Sequence, residues 1–268
     1  MKTRLITGAI LACVLIAAIA MGGWVFSIIC IIAIGIALHE MIHVLNEKGH
    51  KMVRWPVWMA TVLSIPCFLL YDNRTLMPIL TVTTMIVIGY VLFHGEPQVE
   101  DILYSLMPFY AVSLPGMCLL AQINAPYRYL QVMLLFTSFV VPLAGDTMAY
   151  FIGRRYGKRK LIPAVSPNKT VEGAIAGLGG SVVGALIVYG ITAACVEAAL
   201  PPVWHYLLLG LLGGVVGQMG DLFASLIKRH CGVKDYGNIF PGHGGMMDRV
   251  DSVLFMAVLV YIYQSIMW

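Results

Sequence analysis

Residues 225–252 read SLIKRHCGVKDYGNIFPGHGGMMDRVDS, a polar and glycine-rich segment between two strongly apolar segments near the C-terminus. The rest of the chain is dominated by apolar side chains. Charged residues so close to long apolar segments are costly to bury without partners. We therefore expect this segment to handle a charged substrate.

The composition indicates an integral membrane protein. The 268 residues are 60% hydrophobic and 11% charged, with a mean hydropathy of +0.86, whereas soluble domains carry about 25% charged residues. The net charge of +4 raises the question of a nucleic-acid partner. Because the basic residues lie at the ends of apolar segments and in the polar loops between them, no nucleic-acid partner is expected.

Apolar segments recur along the chain at about the 20 residues that a spanning helix needs. They predict an all-α, polytopic membrane protein with about nine transmembrane helices, at 5–20, 24–43, 55–71, 76–93, 102–121, 129–152, 173–196, 203–227 and 250–268. No separate soluble domain fits between these segments. Residues 1–268 are thus expected to form one integral membrane domain, with N-terminal helices in 1–125 and catalytic helices and cytoplasmic loops in 126–268.

The Lys and Arg residues indicate the orientation of the chain. With a cytoplasmic N-terminus, all of the 17 Lys and Arg residues except Arg74 and Arg128 fall on the cytoplasmic side, as the positive-inside rule requires. The polar loops 153–172 and 228–249 then share that side. The N-terminal segment also resembles a signal peptide that ends at Ala18-Ile19-Ala20, but the spans that follow at once favour a retained first helix.

Glycines in the C-terminal half recur at close to helical spacing. Glycine has no side chain, so it lets two membrane helices approach closely. We expect helix contacts at Gly173, Gly177, Gly180, Gly184, Gly210, Gly213, Gly214 and Gly217.

Two carboxylates lie inside predicted spans, Asp146 in the sixth and Asp221 in the eighth. Each would cost roughly 2.5–3.5 kcal/mol at the bilayer centre, so each is expected to serve a binding site or an ion pair between helices. On a helix, Asp221 shares a face with Ser225 and Lys228. By the same spacing, Asp146 shares a face with Tyr150 and Arg154. Both sets of polar residues lie on helix faces that lead towards the basic loops. This placement favours a binding site over an ion pair that only joins two helices.

The run Pro241-Gly242-His243-Gly244-Gly245 precedes the last span, which begins near Asp248 and Asp251. Glycines allow backbone amides to approach phosphate oxygens closely. With Asp221, the two aspartates offer the hard oxygen ligands that Mg²⁺ accepts beside substrate phosphates. His243 suits an acid or base role and a hydrogen-bonding role equally well. The cations expected to neutralise a polyphosphate are Lys228, Arg229, Lys234 and Arg249.

Two motifs in the C-terminal half carry a resemblance to a known family. The first is Ser225-x-Ile227-Lys228-Arg229-x4-Lys234-Asp235-x-Gly237-x2-Phe240-Pro241-x-His243-Gly244-Gly245-Met246-x-Asp248-Arg249-Val250-Asp251. The second joins Asp146-Thr147-x-Ala149-Tyr150 to Ser166-Pro167-Asn168-Lys169-Thr170-Val171-Glu172-Gly173. Together they resemble the signatures of phosphatidate cytidylyltransferases, also called CDP-diacylglycerol synthases. The sequence departs from the family pattern at Met148, where a small residue is usual, and at Val171, where an aromatic is common.

The resemblance implies transfer of CMP from CTP to phosphatidic acid, which gives CDP-diacylglycerol and pyrophosphate. It also implies Mg²⁺ with a second cation such as K⁺, a homodimer, and an active site on the cytoplasmic face of the plasma (inner) membrane. CTP, phosphatidic acid and the lipid bilayer are therefore the expected partners. Residues 1–140 match the family only in being apolar.

The attacking phosphate is already ionised, so the chemistry requires charge neutralisation more than a strong base. We expect Asp221, Lys228, Asp248 and Asp251 to be catalytic. Asp221 and Asp248 are expected to bind the metal, with Asp146 and Asp251 as further ligands or as their supporting shell. The expected substrate-binding residues are Ser166, Lys169, Thr170, Arg229, Lys234, Asp235, His243, Gly244, Gly245 and Arg249.

Three other functions compete with this interpretation. His39-Glu40-Met41-Ile42-His43 is an H-E-x-x-H pattern, which on a helix can hold zinc in an intramembrane protease, although the sequence shows no convincing third ligand. A CTP-dependent lipid (polyprenol) kinase would release CDP instead of pyrophosphate. An ion-coupled transporter would use Asp146 and Asp221 along an ion path, but would not require the basic and glycine-rich loops.

Overall fold

The structure, a computed structural model, describes residues 2–46, 52–71, 76–94, 96–197 and 200–268. Lys48, Lys51 and Arg74, which contribute to the predicted orientation, lie outside these residues. The described part of the chain contains ten α-helices and one two-stranded antiparallel hairpin.

The N-terminal part consists of apolar helices. They are α1 (Lys2–Met21), α2 (Gly23–Asn46), α3 (Trp55–Tyr71), α4 (Leu76–Phe93), α5 (Val99–Pro108) and α6 (Leu114–Ala121). A π-helical turn at Phe109–Ser113 joins α5 to α6, so that the two form one unit. Prolines lie on both sides of this turn, at Pro108 and Pro115. Because proline removes a backbone donor and its ring crowds the preceding turn, the regular α-helical ladder is interrupted here.

The C-terminal part carries the polar loops. Its elements are α7 (Arg128–Tyr156), β1 (Lys160–Ile162), β2 (Ser166–Thr170), α8 (Val171–Cys195), α9 (Val203–Cys231) and α10 (Met247–Met267). Gly232 ends α9 in the left-handed region with φ of 75°, which glycine adopts without steric cost. α9 therefore extends past the predicted span, and Lys228 and Arg229 lie on its last turn.

Each predicted apolar segment lies on a helix. Within the described residues, six helical units are long and apolar enough to cross a membrane: α2, α5–α6 over Val99–Asn124, α7, α8, α9 and α10. In α1, α3 and α4, the described apolar parts are shorter: Thr7–Met21, Trp55–Ile65 and Met77–Phe93. The all-α prediction is therefore confirmed, with six candidate spans. The count of nine spans and the cytoplasmic N-terminus stay predictions.

The hairpin was not predicted. Between α7 and α8 the sequence suggested only a polar loop, yet Lys160 pairs with Thr170 and Ile162 with Ser166. The hairpin is anchored to the start of α8, because Val171 N–H donates to Arg159 O at 2.9 Å. These short strands lack the alternation of apolar and polar residues that would predict them, because their side chains are mostly exposed.

Glycines allow the C-terminal helices to pack closely, as their spacing predicts. A Cβ atom at Gly180 on α8 would lie 2.6 Å from the Met148 Cβ on α7, and one at Gly210 on α9 would lie 2.7 Å from the Val182 Cα. Both distances are too short for real contacts. The missing side chain at Gly180 thus leaves room for Met148, the residue at which the motif departs from the family pattern.

The helix α10 connects the two parts of the chain. It packs against α9 and α7 of the C-terminal part and against α2 and α6 of the N-terminal part. Leu254 and Ala257 of α10 belong to the same buried cluster as Leu38 of α2 and Leu120 of α6. The start of α10 carries the predicted catalytic aspartates, so packing by the N-terminal helices directly supports that end of the site.

Arg128 has a structural partner. Its Nη2 donates to the carbonyl oxygens of Ile19 at 3.0 Å and Ala20 at 2.7 Å, which belong to the last turn of α1. These carbonyls have no helical partners of their own, and a cation also suits the negative end of a helix. The guanidinium therefore ties the start of α7 to the end of α1.

Candidate active site

Two lysine–aspartate ion pairs lie where the polar loops meet the helix bundle. In the first, Nζ of Lys169 on β2 contacts Oδ2 of Asp221 on α9. Ser225 Oγ donates to Asp221 Oδ1 at 3.4 Å, as their helical spacing predicts. The hairpin thus brings a cation from one polar loop onto the carboxylate of a membrane helix, and the two regions form one site.

The second pair is more deeply buried. Lys228 Nζ lies 2.6 Å from Asp248 Oδ1, and the two side chains are 11% and 3% exposed. Asp248 Oδ2 accepts hydrogen bonds from Tyr236 N–H at 2.8 Å and from Gly245 N–H at 3.0 Å. A buried charge is tolerated when it is paired and hydrogen-bonded. These three contacts therefore hold Asp248 in one position.

Tyr236 covers this pair from the loop side. The ring is buried, Lys228 Nζ lies 5.4 Å from its centroid, and its hydroxyl donates to Ala224 O at 3.0 Å. Burial, and then the charge of Asp248, raises the pKa of the Tyr236 phenol well above its ordinary value. The hydroxyl therefore stays protonated and keeps its hydrogen bond to α9.

Asp146 and Asp251 lie near Asp221. Ser252 Oγ lies within hydrogen-bonding distance of Asp251 Oδ1 at 3.2 Å and of Asp146 Oδ2 at 3.5 Å, so its single O–H can be shared between carboxylates of α10 and α7. The charges of the three aspartates act on one another. Lys169 offsets part of the repulsion, because its ammonium group acts on Asp146 as well as on Asp221.

The donor set of the site fits Mg²⁺. Carboxylate oxygens are its preferred protein ligands, and it is usually held by one or two carboxylates together with substrate phosphates. Asp221 Oδ2 and Asp248 Oδ1 each already bind an ammonium cation. Among the described residues, no group of three or more His, Cys, Asp or Glu side chains is arranged to hold a metal ion. The metal roles of the four aspartates stay predictions.

A cleft of about 530 Å³ opens in the loop between α9 and α10. Its shape depends on two turns, in which Phe240 N–H donates to Gly244 O at 3.0 Å and His243 N–H donates to Phe240 O at 2.8 Å. Gly242 and Gly244 have φ of 79° and 77°, which other residues adopt only with strain. The lining residues are Lys234, Asp235, Asn238, Phe240, Pro241, Gly242, His243, Gly244 and Arg249.

The lining of the cleft suits an anionic ligand that also carries a ring. Lys234 and Arg249 supply positive charge, and Phe240 and Pro241 supply an apolar wall. His243 also lines the cleft, and its Nδ1 is buried without a hydrogen-bond partner in the described part of the chain.

The H-E-x-x-H motif does not face this cleft. On α2, His39 and His43 are exposed and their rings lie 6.3 Å apart, whereas Glu40 is buried. The Glu40 carboxylate accepts hydrogen bonds from Met246 N–H at 3.0 Å and Met247 N–H at 2.8 Å. It therefore caps the start of α10.

Comparison with known proteins identifies the family. The model of the cytidylyltransferase family matches residues 2–267. The chain belongs to the cytidylyltransferase family. Three relatives that the chain resembles over nearly their whole length are phosphatidate cytidylyltransferases. That of Bacillus subtilis is 34% identical, with 97% of this chain and 96% of the relative covered. That of Staphylococcus haemolyticus is 32% identical with 98% of each covered, and that of Brucella abortus is 33% identical with 99% and 94% covered.

The cytidylyltransferase motifs meet at one end of the helix bundle. Five residues predicted to bind substrate line the cleft: Lys234, Asp235, His243, Gly244 and Arg249. Lys169 lies apart from the cleft lining, on Asp221. The match over residues 2–267 also shows that the relationship includes the N-terminal helices, for which only a shared apolar character was predicted.

Other predicted substrate-binding residues have contacts within the protein. Thr170 Oγ1 accepts Gly173 N–H at 3.1 Å and so caps α8. Arg229 Nε donates to Val165 O at 3.3 Å, which ties α9 to the hairpin turn. Gly245 N–H is directed at Asp248, and Ser166 is half-buried in the hairpin. Their roles towards substrate stay predictions.

Three residues that contribute to the candidate site were not predicted from the sequence. Tyr236 holds Asp248 through its backbone and Ala224 through its hydroxyl, and nothing in its sequence context marks it. Ser252 directly follows Asp251, but only the packing of α7 on α10 shows that it bridges two aspartates. Glu40 was assigned to a competing zinc pattern, and its contact with α10 spans more than 200 positions of sequence.

Proposed function

We propose that the chain transfers CMP from CTP to phosphatidic acid, forming CDP-diacylglycerol and releasing pyrophosphate. The observation that carries this proposal is the pair of lysine–aspartate contacts beside a cationic cleft, in a chain of the cytidylyltransferase family. Such a site neutralises several negative charges at once. Two anionic substrates that must meet require this neutralisation.

In the proposed reaction, a phosphate oxygen of phosphatidic acid forms a bond to the α-phosphorus of CTP. The bond from that phosphorus to the bridging oxygen breaks, and the electron pair leaves with pyrophosphate. The attacking oxygen is already ionised, so no residue has to remove a proton from it. The residues of the site must instead orient the two phosphates and offset their charge.

The lysines have the clearest roles. Lys169 and Lys228 are held by aspartates in the described state, so their ammonium groups are oriented before substrate arrives. Phosphate oxygens can take over these ammonium groups, which frees Asp221 Oδ2 and Asp248 Oδ1. Lys234 and Arg249 in the cleft would hold the triphosphate, and the apolar wall suits the cytosine ring.

Mg²⁺ completes the proposal. Asp221 and Asp248 would hold it, with Asp146 and Asp251 as further ligands or as their support, and the bound cation would supply additional charge neutralisation. A second cation such as K⁺ is part of the proposal. The acyl chains of phosphatidic acid would remain in the bilayer, next to the exposed apolar faces of the helices.

The proposed location is the plasma membrane, with the N-terminus and the site in the cytoplasm. The distribution of Lys and Arg residues supports this orientation. Nine spans would then place the C-terminus outside. A C-terminal alkaline phosphatase fusion should be active and a C-terminal green fluorescent protein fusion should be dark, and the opposite pattern would contradict a nine-span arrangement. The proposed homodimer is tested by light scattering of the purified protein in detergent.

Product analysis tests the activity. Detergent-solubilised protein is incubated with labelled CTP, phosphatidic acid and Mg²⁺, and lipid and nucleotide products are separated. We expect a CDP-lipid and pyrophosphate in equal amounts. Release of CDP with a newly phosphorylated lipid would indicate a lipid kinase instead. Chelation with EDTA should stop the reaction and added Mg²⁺ should restore it, whereas full activity without divalent cations would remove the metal from the proposal.

A further inference from the structure

Glu40 joins an N-terminal helix to the proposed catalytic loop. Its two carboxylate oxygens take one amide each, Oε1 from Met246 at 3.0 Å and Oε2 from Met247 at 2.8 Å. These amides belong to the first turn of α10, where backbone N–H groups have no helical partners. A buried anion at this position also suits the positive end of the helix.

The loop closes tightly around this carboxylate. A Cβ atom at Gly237 would lie 2.4 Å from Glu40 Oε1, and one at Gly245 would lie 2.4 Å from Glu40 Oε2. Side chains cannot approach so closely, so only glycine permits the observed arrangement at these two positions. Glu40 therefore lies against three parts of the site: the interior of the loop at Gly237, the end of the loop at Gly245, and the start of α10.

The same turn holds Asp248. Gly245 N–H donates to Asp248 Oδ2, while the next two amides, of Met246 and Met247, donate to Glu40. The carboxylates of Asp248 and Glu40 together accept the three backbone N–H groups at the start of α10. Any displacement of this turn moves Asp248, and with it the partner of Lys228.

We propose that Glu40 is a positioning residue for the transfer reaction. It fixes the turn from which Asp248 and Lys228 act, and it makes α2 a required part of the site. This inference rests on the proposed function. It also gives the H-E-x-x-H motif a role in which only its glutamate serves the reaction, because the two histidines lie on the exposed face of α2.

Neutralising Glu40 tests the proposal. Glu40→Gln keeps one acceptor oxygen but directs its amide group at a backbone N–H donor. We expect kcat to fall by about 10- to 100-fold and the Mg²⁺ concentration for half-maximal rate to rise, as for other residues that orient metal ligands. KM for CTP should change much less, because the amides that Glu40 accepts, those of Met246 and Met247, do not belong to residues that line the cleft. Rates are expressed per folded protein, measured by size-exclusion chromatography.

The matched control is His39→Ala on the exposed face of the same helix turn. Its rate should stay within about twofold of wild type, as expected for a surface substitution. A second arm uses Gly237→Ala, whose Cβ would collide with Glu40 and lower kcat. Combining it with Glu40→Asp, which shortens the side chain by one methylene group, should restore part of that loss.

The outcomes separate the two proposals. A wild-type protein that forms no CDP-lipid would refute the proposed function itself. Active wild type with an unchanged kcat and Mg²⁺ dependence in Glu40→Gln would overturn the positioning role alone. The positioning role would also be overturned if Glu40→Gln and His39→Ala lost the same fraction of kcat and the wild-type protein held stoichiometric zinc that His39→Ala removes. That result would favour a zinc site. If kcat of the double variant Gly237→Ala, Glu40→Asp is no higher than kcat of Gly237→Ala alone, the proposed contact between Gly237 and Glu40 is contradicted.

Discussion

The Lys228–Asp248 pair allows a quantitative test of the site architecture. Asp248→Asn keeps an oxygen for the amides of Tyr236 and Gly245, but it leaves the Lys228 ammonium without its anion in a nearly closed environment. Lys228→Met leaves the Asp248 charge buried with only its two amide donors. Removing one partner of a buried pair costs about 3–5 kcal/mol. We expect both single variants to fall in that range.

The double variant Lys228→Met, Asp248→Asn contains neither charge. Its loss should be smaller than the sum of the single losses, with a coupling of about 2–3 kcal/mol. The assay is the fraction of monodisperse protein after heating in detergent. At about 2–4 °C per kcal/mol for proteins of this size, each single variant should lose about 6–20 °C in Tm. Losses that simply add in the double variant would refute the reasoning, because independent residues do not couple.

Three further predictions concern other contacts. Asp221→Asn should lower CDP-lipid formation at least about 100-fold while the protein stays folded, and a wild-type rate would remove Asp221 from the proposed metal site. Arg128→Gln should lower the stability of the bundle by about 1.5–3 kcal/mol, because its bonds to α1 are charge-assisted; a melting curve identical to that of wild type would contradict the capping role. Gly180→Ala should cost about 1–3 kcal/mol by overpacking against Met148. The control Gly179→Ala, with open space at its Cβ, should melt like wild type, and equal losses in both would show that helix packing is not the cause.

Much of the architecture was readable from hydropathy. Long apolar segments can bury their backbone polar groups in a membrane only as helices or closed barrels, and the length of each segment indicated helices. The helix bounds follow the predicted segments within a few residues at most ends. The hairpin between Lys160 and Thr170 escaped prediction because its strands are short, polar and lack an alternating pattern.

The chemistry was also readable, for a different reason. Charged residues in so apolar a chain are expensive unless they have partners or a function, so their identities and spacing carry unusual information. The motifs from Asp146 to Gly173 and from Ser225 to Asp251 predicted the family, and the match over residues 2–267 confirms it. The nucleotidyltransferase class is thereby confirmed as well.

Contacts between distant segments required the tertiary structure. The helical stripe placed Lys228 with Asp221, but the structure pairs Lys228 with Asp248 and gives Asp221 to Lys169. Glycines near Gly245 suggested amides free to bind phosphate, yet the amides from Gly245 to Met247 bind the carboxylates of Asp248 and Glu40. Spacing along one helix defines which residues share a face, but it does not define which neighbouring helix or loop supplies their partners.

The sequence by itself determined that the chain is helical and apolar, that ten of its 17 Lys and Arg residues lie in two polar loops, and which enzyme family its motifs resemble. These properties depend on local composition and on the spacing of residues a few positions apart, and both can be read directly from the sequence. Only the tertiary structure decided that the hairpin carries Lys169 to Asp221 and that α2 carries Glu40 to the start of α10. Such contacts depend on how helices pack, and packing brings together residues whose separation in sequence leaves no local signal.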